Sequence, residues 1–183
     1  MTSLEDARDL DRTDPLRGFR ERFDLPEGVI YLDGNSLGPP PRGVAARVGA
    51  TISHEWGEGL IRSWNDAGWI KAPARIGAKI ARLIGAAPDE VTVADSTSVN
   101  LFKLLVAAMR ARPGRRLILT EAGNFPTDLY IAKGVADLLP GIEVLAMPRE
   151  DLPARIDETV GVVLVTHVHY KTAARWDMAA ISA

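Results

Sequence analysis

Cysteine is absent from all 183 residues, which excludes a disulfide scaffold, thiolate metal ligation and a cysteine nucleophile. A surplus of either charge is also missing. Lys and Arg total 22 against 24 Asp and Glu, a formal net charge of -2, so there is no basic footprint for nucleic acid and no polybasic patch for a membrane surface. The longest apolar runs, Leu104–Met109 and Val160–Val165, are far too short to cross a bilayer. No Gly-x-x-x-x-Gly-Lys occurs, so a nucleoside triphosphate loop is unsupported. The opening residues Met1-Thr-Ser-Leu-Glu-Asp6 are acidic rather than basic-then-apolar, unlike a secretory leader. What is present, 46% hydrophobic and 25% charged residues, is ordinary globular composition and excludes disorder and fibrous repeats. A soluble, cytoplasmic protein is expected.

Along the chain, Asp14-Pro15 reads as a helix start, with Asp as cap and Pro at the first helical position. Val29–Leu32 is expected as a short strand leading into a loop, Asp33–Pro41, whose two glycines and three prolines forbid regular structure. Helices are expected with Val44, Val48 and Ile52 on one face, and through Ile76, Ile80 and Ile84 up to Gly85. After Pro88 the rhythm changes to alternation. Strands are expected at Val91–Ala94, Arg116–Thr120, Glu143–Ala146 and Val160–Thr166. Helices are expected at Ser98–Arg112, with Val99, Leu101, Phe102 and Leu105 largely buried, and at Thr127–Leu139, with a short one at Asp151–Ile156. That alternation argues for an α/β fold, a mostly parallel sheet flanked by helices. The chain divides into an arm and loop (1–40), a helical segment (41–88) and an α/β region (89–183). Its end falls within an apparent helix, as if the sequence were the front portion of a longer protein.

Three strand-to-helix or strand-to-loop junctions carry candidate chemistry. Asp95-Ser-Thr-Ser-Val-Asn100 puts Thr97 and Ser98 at a helix N-terminus, where hydroxyls, free N–H groups and the helix dipole suit a phosphate monoester. A plain N-cap is the alternative. Gly123-Asn-Phe-Pro-Thr-Asp-Leu-Tyr130 holds Phe125 rigid before Pro126, able to lie on a planar ring, with Thr127 and Asp128 opening the next helix. A capped helix with a core Phe is the alternative there. The third junction, Thr166–Thr172, contains His167, His169 and Lys171. The two histidines lack a third ligand at metal spacing, so no metal is expected, and Lys171 reads as exposed or phosphate-contacting rather than catalytic. Two polar junctions on one edge of an α/β sheet are where such folds bind ligands. Further forward, Asn35 and Ser36 can hold a carboxylate or carbonyl, or simply form a turn. Trp56, Trp64 and Trp69 fall within fourteen residues and suit either an aromatic pocket or a subunit interface.

Together Tyr31-Leu-Asp-Gly-Asn-Ser-Leu-Gly38, Trp56-Gly-Glu-Gly-Leu-Ile-Arg-Ser-Trp64, Asp95-Ser-Thr-Ser-Val-Asn-Leu-Phe102, Asn124-Phe-Pro-Thr-Asp-Leu-Tyr130 and Thr166-His-Val-His-Tyr-Lys-Thr172 resemble the bacterial kynureninase family over essentially the whole chain. The resemblance implies the aspartate-aminotransferase fold (fold type I) and pyridoxal 5'-phosphate as cofactor. It implies a homodimer that hydrolyses L-kynurenine, or its 3-hydroxy form, to the anthranilate and L-alanine in tryptophan breakdown and NAD synthesis. It places Thr97 and Ser98 at the cofactor phosphate, and Phe125 on the pyridine ring. Pro126, Thr127, Asp128 and Thr166 complete the cofactor site, with Asn35, Ser36 and Trp64 on the substrate side.

Departures accompany the likeness. The family's Schiff-base lysine and the Asp that pairs with the ring nitrogen are expected beyond residue 183, so the 183 residues alone are expected to be inactive. After Thr172 the sequence reads Ala-Ala-Arg-Trp-Asp-Met, where the family usually places a glycine. The alternatives are a related enzyme of cysteine desulfurase type, which the Asn35 and Trp64 motifs disfavour, and a non-catalytic remnant that binds or dimerises.

Overall fold

The structure, a computed structural model, describes residues 3–182. It separates into two compact units, Met1–Thr92 and Val93–Ala183.

The first unit is helical. Helix α1 (Leu4–Thr13) starts from a capping box in which the Ser3 hydroxyl accepts from Asp6 N–H at 3.1 Å and Asp6 accepts from Ser3 N–H at 2.8 Å. The expected helix start at Asp14 is therefore corrected: Asp14 ends α1, and its carboxylate accepts from Leu16 N–H ahead of a 3-10 segment, Arg17–Arg22. Val29–Leu32 is not a strand either. Its backbone is irregular, and Ile30 and Leu32 are almost fully exposed. Four apolar residues satisfy the pattern of a strand, but without a neighbouring ladder their N–H and C=O groups have no reason to extend.

Helix α2 (Val44–Ala50) continues through a π-helical segment (Thr51–Trp56), and a short α3 (Ser63–Asp66) follows. Helix α4 (Ala72–Ile84) ends at Gly85 in the left-handed region, as its sequence anticipates. Gly77 of α4 is buried against the Val91–Thr92 backbone, where a methyl group would collide with the Val91 carbonyl. That close approach is what glycine permits here. Val91–Ala94 is irregular backbone, so the strand expected there is absent.

In the second unit α5 (Thr97–Ala111) precedes β1 (Leu117–Glu121), α6 (Pro126–Leu138), β2 (Glu143–Met147), β3 (Val160–Leu164) and α7 (Met178–Ser182). Two 3-10 turns, Arg149–Asp151 and Pro153–Arg155, replace the short helix expected at Asp151–Ile156. The sheet has the order β2-β1-β3 and is parallel throughout. Alternation along β1 divides the core in two. Ile118 packs with Leu105 and Met109 of α5 and with Ala132 and Val135 of α6. Leu117 and Leu119 face the other way, onto Leu152, Val160 and Trp176. The α/β reading holds, but the burial expected for α5 is only partly met. Leu105 is buried and Leu101 half-buried, whereas Val99 and Phe102 are exposed.

Candidate functional site

Short connections fix which edge of the sheet each junction occupies. Five residues, 112–116, join the end of α5 to the start of β1, so the start of α5 lies toward the opposite, carboxyl edge. Consistent with that direction, a Cβ at Gly161 near the start of β3 would meet Met109 of α5 at 2.8 Å. From Met109 back to Ser98 a helix climbs roughly 16 Å, and from Gly161 to Thr166 a strand climbs about the same. Helix α6 begins five residues after β1 ends, and Thr166 follows β3 by two. Thr97, Ser98, Phe125 and Thr166 therefore gather at one edge.

The strand order sharpens the location. From β1 the chain proceeds to β2 on one side, while β3 lies on the other. The carboxyl ends of β1 and β3 thus flank the point where such sheets open a crevice for ligands. Asn124 bridges that point. It is 4% exposed; its Oδ1 accepts from the Phe125 N–H and from the Thr166 hydroxyl, both at 2.7 Å, and its Nδ2 donates to Thr120 Oγ1 at 3.2 Å. Thr120 in turn donates to the Leu164 carbonyl at 2.8 Å.

The first junction is a capped helix end. Ser96 is the N-cap, accepting weakly from Val99 N–H at 3.4 Å. The first N–H groups of the helix, Thr97 and Ser98, have no acceptor one turn back and carry the positive end of the dipole. Thr97 is exposed and Ser98 half-buried. Just before them Asp95 sits at φ 35°, paired with Lys103, and Asn100 donates to the Ala94 carbonyl at 2.7 Å. Both contacts fix the chain's entry into α5.

At the second junction Phe125 is the residue before α6 and is 44% exposed. It is not a core Phe. Its ring meets Tyr170 edge-on, with centroids 5.0 Å apart and planes at 72°, which leaves ring surface open to a ligand. Pro126 is the first helical residue and Thr127 is exposed on the first turn. Asp128 is half-buried, and that burial pushes its carboxyl above the ordinary aspartate range.

His169, beyond β3, completes the edge. Its Nδ1 accepts from the N–H groups of Lys171 (3.2 Å) and Thr172 (3.3 Å), so the ring proton is on Nε2 and is donated to the Gly123 carbonyl at 2.9 Å. His169 also stacks on Tyr170, with centroids 5.3 Å apart. It is thus a strut between two loops. Lys171 is exposed in the turn, and among the described residues no three His, Asp or Glu side chains converge as a metal would require.

The remaining candidates belong to the first unit. In the 33–38 turn Ser36 Oγ donates to Asp33 Oδ1 at 2.8 Å, while the Tyr31 hydroxyl donates to the Leu37 carbonyl at 2.5 Å, with the Asp33 carbonyl farther off at 3.0 Å. Asn35 is exposed beside them. Trp64 is 48% exposed and packs edge-on against Trp69, with centroids 6.4 Å apart. Trp56 stands outside that pair and is exposed. Trp69 is held by Glu55, whose Oε2 accepts the indole N–H at 2.6 Å and whose Oε1 pairs with Arg47 at 2.7 Å.

The sequence reading gives Asn124 no role and weighs His169 only as a metal ligand, although both stand inside the quoted motifs and both bridge loops here. The buried Glu121, bonded to Trp176, is missed altogether. A charged residue closing an apolar strand is the signal that marks it.

Comparison with known proteins gives one consistent result. The whole chain is 52% identical over 189 residues to a kynureninase of Pseudomonas fluorescens, spanning 45% of that protein. It is 52% identical over 188 residues to a kynureninase of Burkholderia mallei (strain SAVP1), and 51% identical to one of Burkholderia pseudomallei (strain K96243), again covering all of this chain and 45% of the relative. The chain thus spans a little under half the length of the curated relatives it matches. No family model matches it.

Proposed function

We propose that this chain is the N-terminal portion of a kynureninase that hydrolyses L-kynurenine, or its 3-hydroxy form, to the anthranilate and L-alanine with pyridoxal 5'-phosphate as cofactor. The observation that carries this reading is the gathering of Thr97, Ser98, Phe125 and Thr166 at the carboxyl edge, in a chain about half identical throughout to kynureninases. The donor set suits the cofactor. Free N–H groups and hydroxyls at the start of α5 match a phosphate monoester, an exposed ring at Phe125 matches a planar heteroaromatic, and Thr166 supplies a polar group between them.

In this reading Thr97 and Ser98 hold the phosphate, and Phe125 covers one face of the pyridine ring. Pro126 stiffens the Phe125 backbone, while Thr127 and Asp128 close the loop around the cofactor. Asn35, Ser36 and Trp64 attend the substrate. When bound, the cofactor supplies an electron sink for cleavage of the carbon–carbon bond; the protein orients it and tunes it. The sheet and its helices form part of a fold type I large domain (89–183), preceded by an arm (1–40) and a helical segment (41–88), in a cytoplasmic homodimer. The lysine that anchors the cofactor covalently is assigned outside these residues, so the 183-residue chain by itself is inactive in this reading. Among the described residues no helix is long and apolar enough to cross a membrane.

Anthranilate fluorescence tests the proposal. The intact protein that carries this sequence, supplied with pyridoxal phosphate and L-kynurenine, releases anthranilate, whereas the 183-residue chain does not. Replacing Thr97 and Ser98 together by Ala weakens cofactor binding about tenfold or more, as lost hydrogen bonds to a charged group do. An intact protein with neither saturable cofactor binding nor anthranilate release refutes the reading.

A further inference from the structure

The hydrogen-bond directions from Thr120 through Asn124 to Thr166 are fixed by two backbone groups. The Phe125 N–H can only donate, so the Asn124 atom 2.7 Å from it is the carbonyl oxygen Oδ1 and the amide is not flipped. The Thr166 hydroxyl lies 2.7 Å from that same oxygen and must donate to it. At the other end the Leu164 carbonyl can only accept, so Thr120 gives it the hydroxyl proton at 2.8 Å and receives instead from Asn124 Nδ2 at 3.2 Å. No member of the chain can reverse alone. Asn124 is almost wholly buried, which makes an unmet donor or acceptor there costly.

From this we infer that Asn124 is a positioning residue that turns Thr166 into an acceptor. With its only proton committed to Asn124, the oxygen of the half-buried Thr166 offers lone pairs alone to a ligand group that meets it. It therefore selects a ligand group that carries a hydrogen. The same Oδ1 anchors the Phe125 N–H, so one amide sets both the polarity of Thr166 and the backbone that carries the Phe125 ring. This rests on the proposed cofactor reading, since pyridoxal phosphate is the ligand that Thr166 is taken to meet.

The test is a double-mutant cycle read as the dissociation constant of pyridoxal phosphate, measured by absorbance titration of the intact protein. Thr166→Val removes the oxygen without changing the side-chain shape. It is expected to weaken binding about tenfold in the native background and less than threefold when Asn124 is Leu, because residues in one hydrogen-bond network couple. Thr166→Ser, which keeps the hydroxyl, restores native binding. Should Asn124→Leu fail to fold cooperatively, Asn124→Asp takes its place. That variant keeps the oxygen facing Phe125 and Thr166, so it is expected to leave the full effect of Thr166→Val in place. Equal losses from Thr166→Val in the native and Asn124→Leu backgrounds overturn the inference. So does a diminished loss in the Asn124→Asp background, or a native protein that binds the cofactor indifferently to Thr166→Val. A native protein that does not bind pyridoxal phosphate at all sinks the functional reading instead.

Discussion

Trp176 donates its indole N–H to the buried carboxylate of Glu121, fifty-five residues earlier, at the end of the central strand. Arg149 completes the contact, lying 3.7 Å from the second carboxylate oxygen and 4.0 Å above the indole ring. These three residues tie the ends of β1 and β2 to the segment that follows β3. On the opposite face of β1, Thr120 and Asn124 do the same for Thr166. The carboxyl edge is therefore pinned from both faces, which holds the proposed cofactor-binding groups in place before any ligand arrives.

Trp176→Phe keeps most of the buried ring but leaves one Glu121 oxygen without its donor. The unmet acceptor is expected to cost about 1–3 kcal/mol. Urea unfolding of the intact protein reads this as a lower midpoint at unchanged slope. An unaltered midpoint means that water or Arg149 replaces the indole, and that Trp176 acts only by filling space.

Ala173 opens the stretch after Thr172 in which the resemblance leads to an expected glycine, and its backbone takes a conformation that favours one. It closes the five-residue turn 169–173, with its N–H donating to the His169 carbonyl at 2.9 Å, and its φ is 56°. A left-handed conformation strains any residue with a Cβ by about 1–2 kcal/mol. Ala173→Gly relieves that strain but adds freedom to the unfolded chain, so a net gain of about 0.5–1 kcal/mol is expected. The same denaturant titration measures it, and a loss of stability contradicts the account.

Legibility followed the range of the interactions. Ser96 before the apolar periodicity of α5, Gly85 after that of α4, and the β-branched run of β3 are local signals, and each element formed where its residues indicated. Val29–Leu32 and Val91–Ala94 carry equally good local signals yet form no strand, because a strand needs a partner ladder that its own residues do not specify. Periodicity on α4 identifies the apolar face but not its burial: Ile76, Ile80 and Leu83 are exposed. At the site, the hydroxyls at a helix start and Phe before Pro were visible as chemistry. The bridge from Asn124 to Thr166 spans forty-two residues and appears only once the strand order is known.

Glu55 gives the first unit a predictable response to acid. The Trp69 indole N–H, and next the Arg47 guanidinium, hold its carboxyl below the ordinary glutamate range, while desolvation pulls weakly the other way. A carboxyl whose folded value is lowered stabilises the fold at any pH above its unfolded value. That contribution is lost as pH falls through the folded value. The Arg47–Glu55–Trp69 contact is accordingly expected to persist through neutral and mildly acidic conditions and to release only below the usual glutamate range. The Trp69 indole proton resonance should stay hydrogen-bonded until then and shift toward a free indole afterwards. Glu55→Gln still accepts from the indole but cannot titrate, so its Trp69 resonance should be flat over the same range. A wild-type resonance that shifts within the ordinary glutamate range, or a glutamine variant that titrates like the wild type, means that Glu55 does not govern this contact.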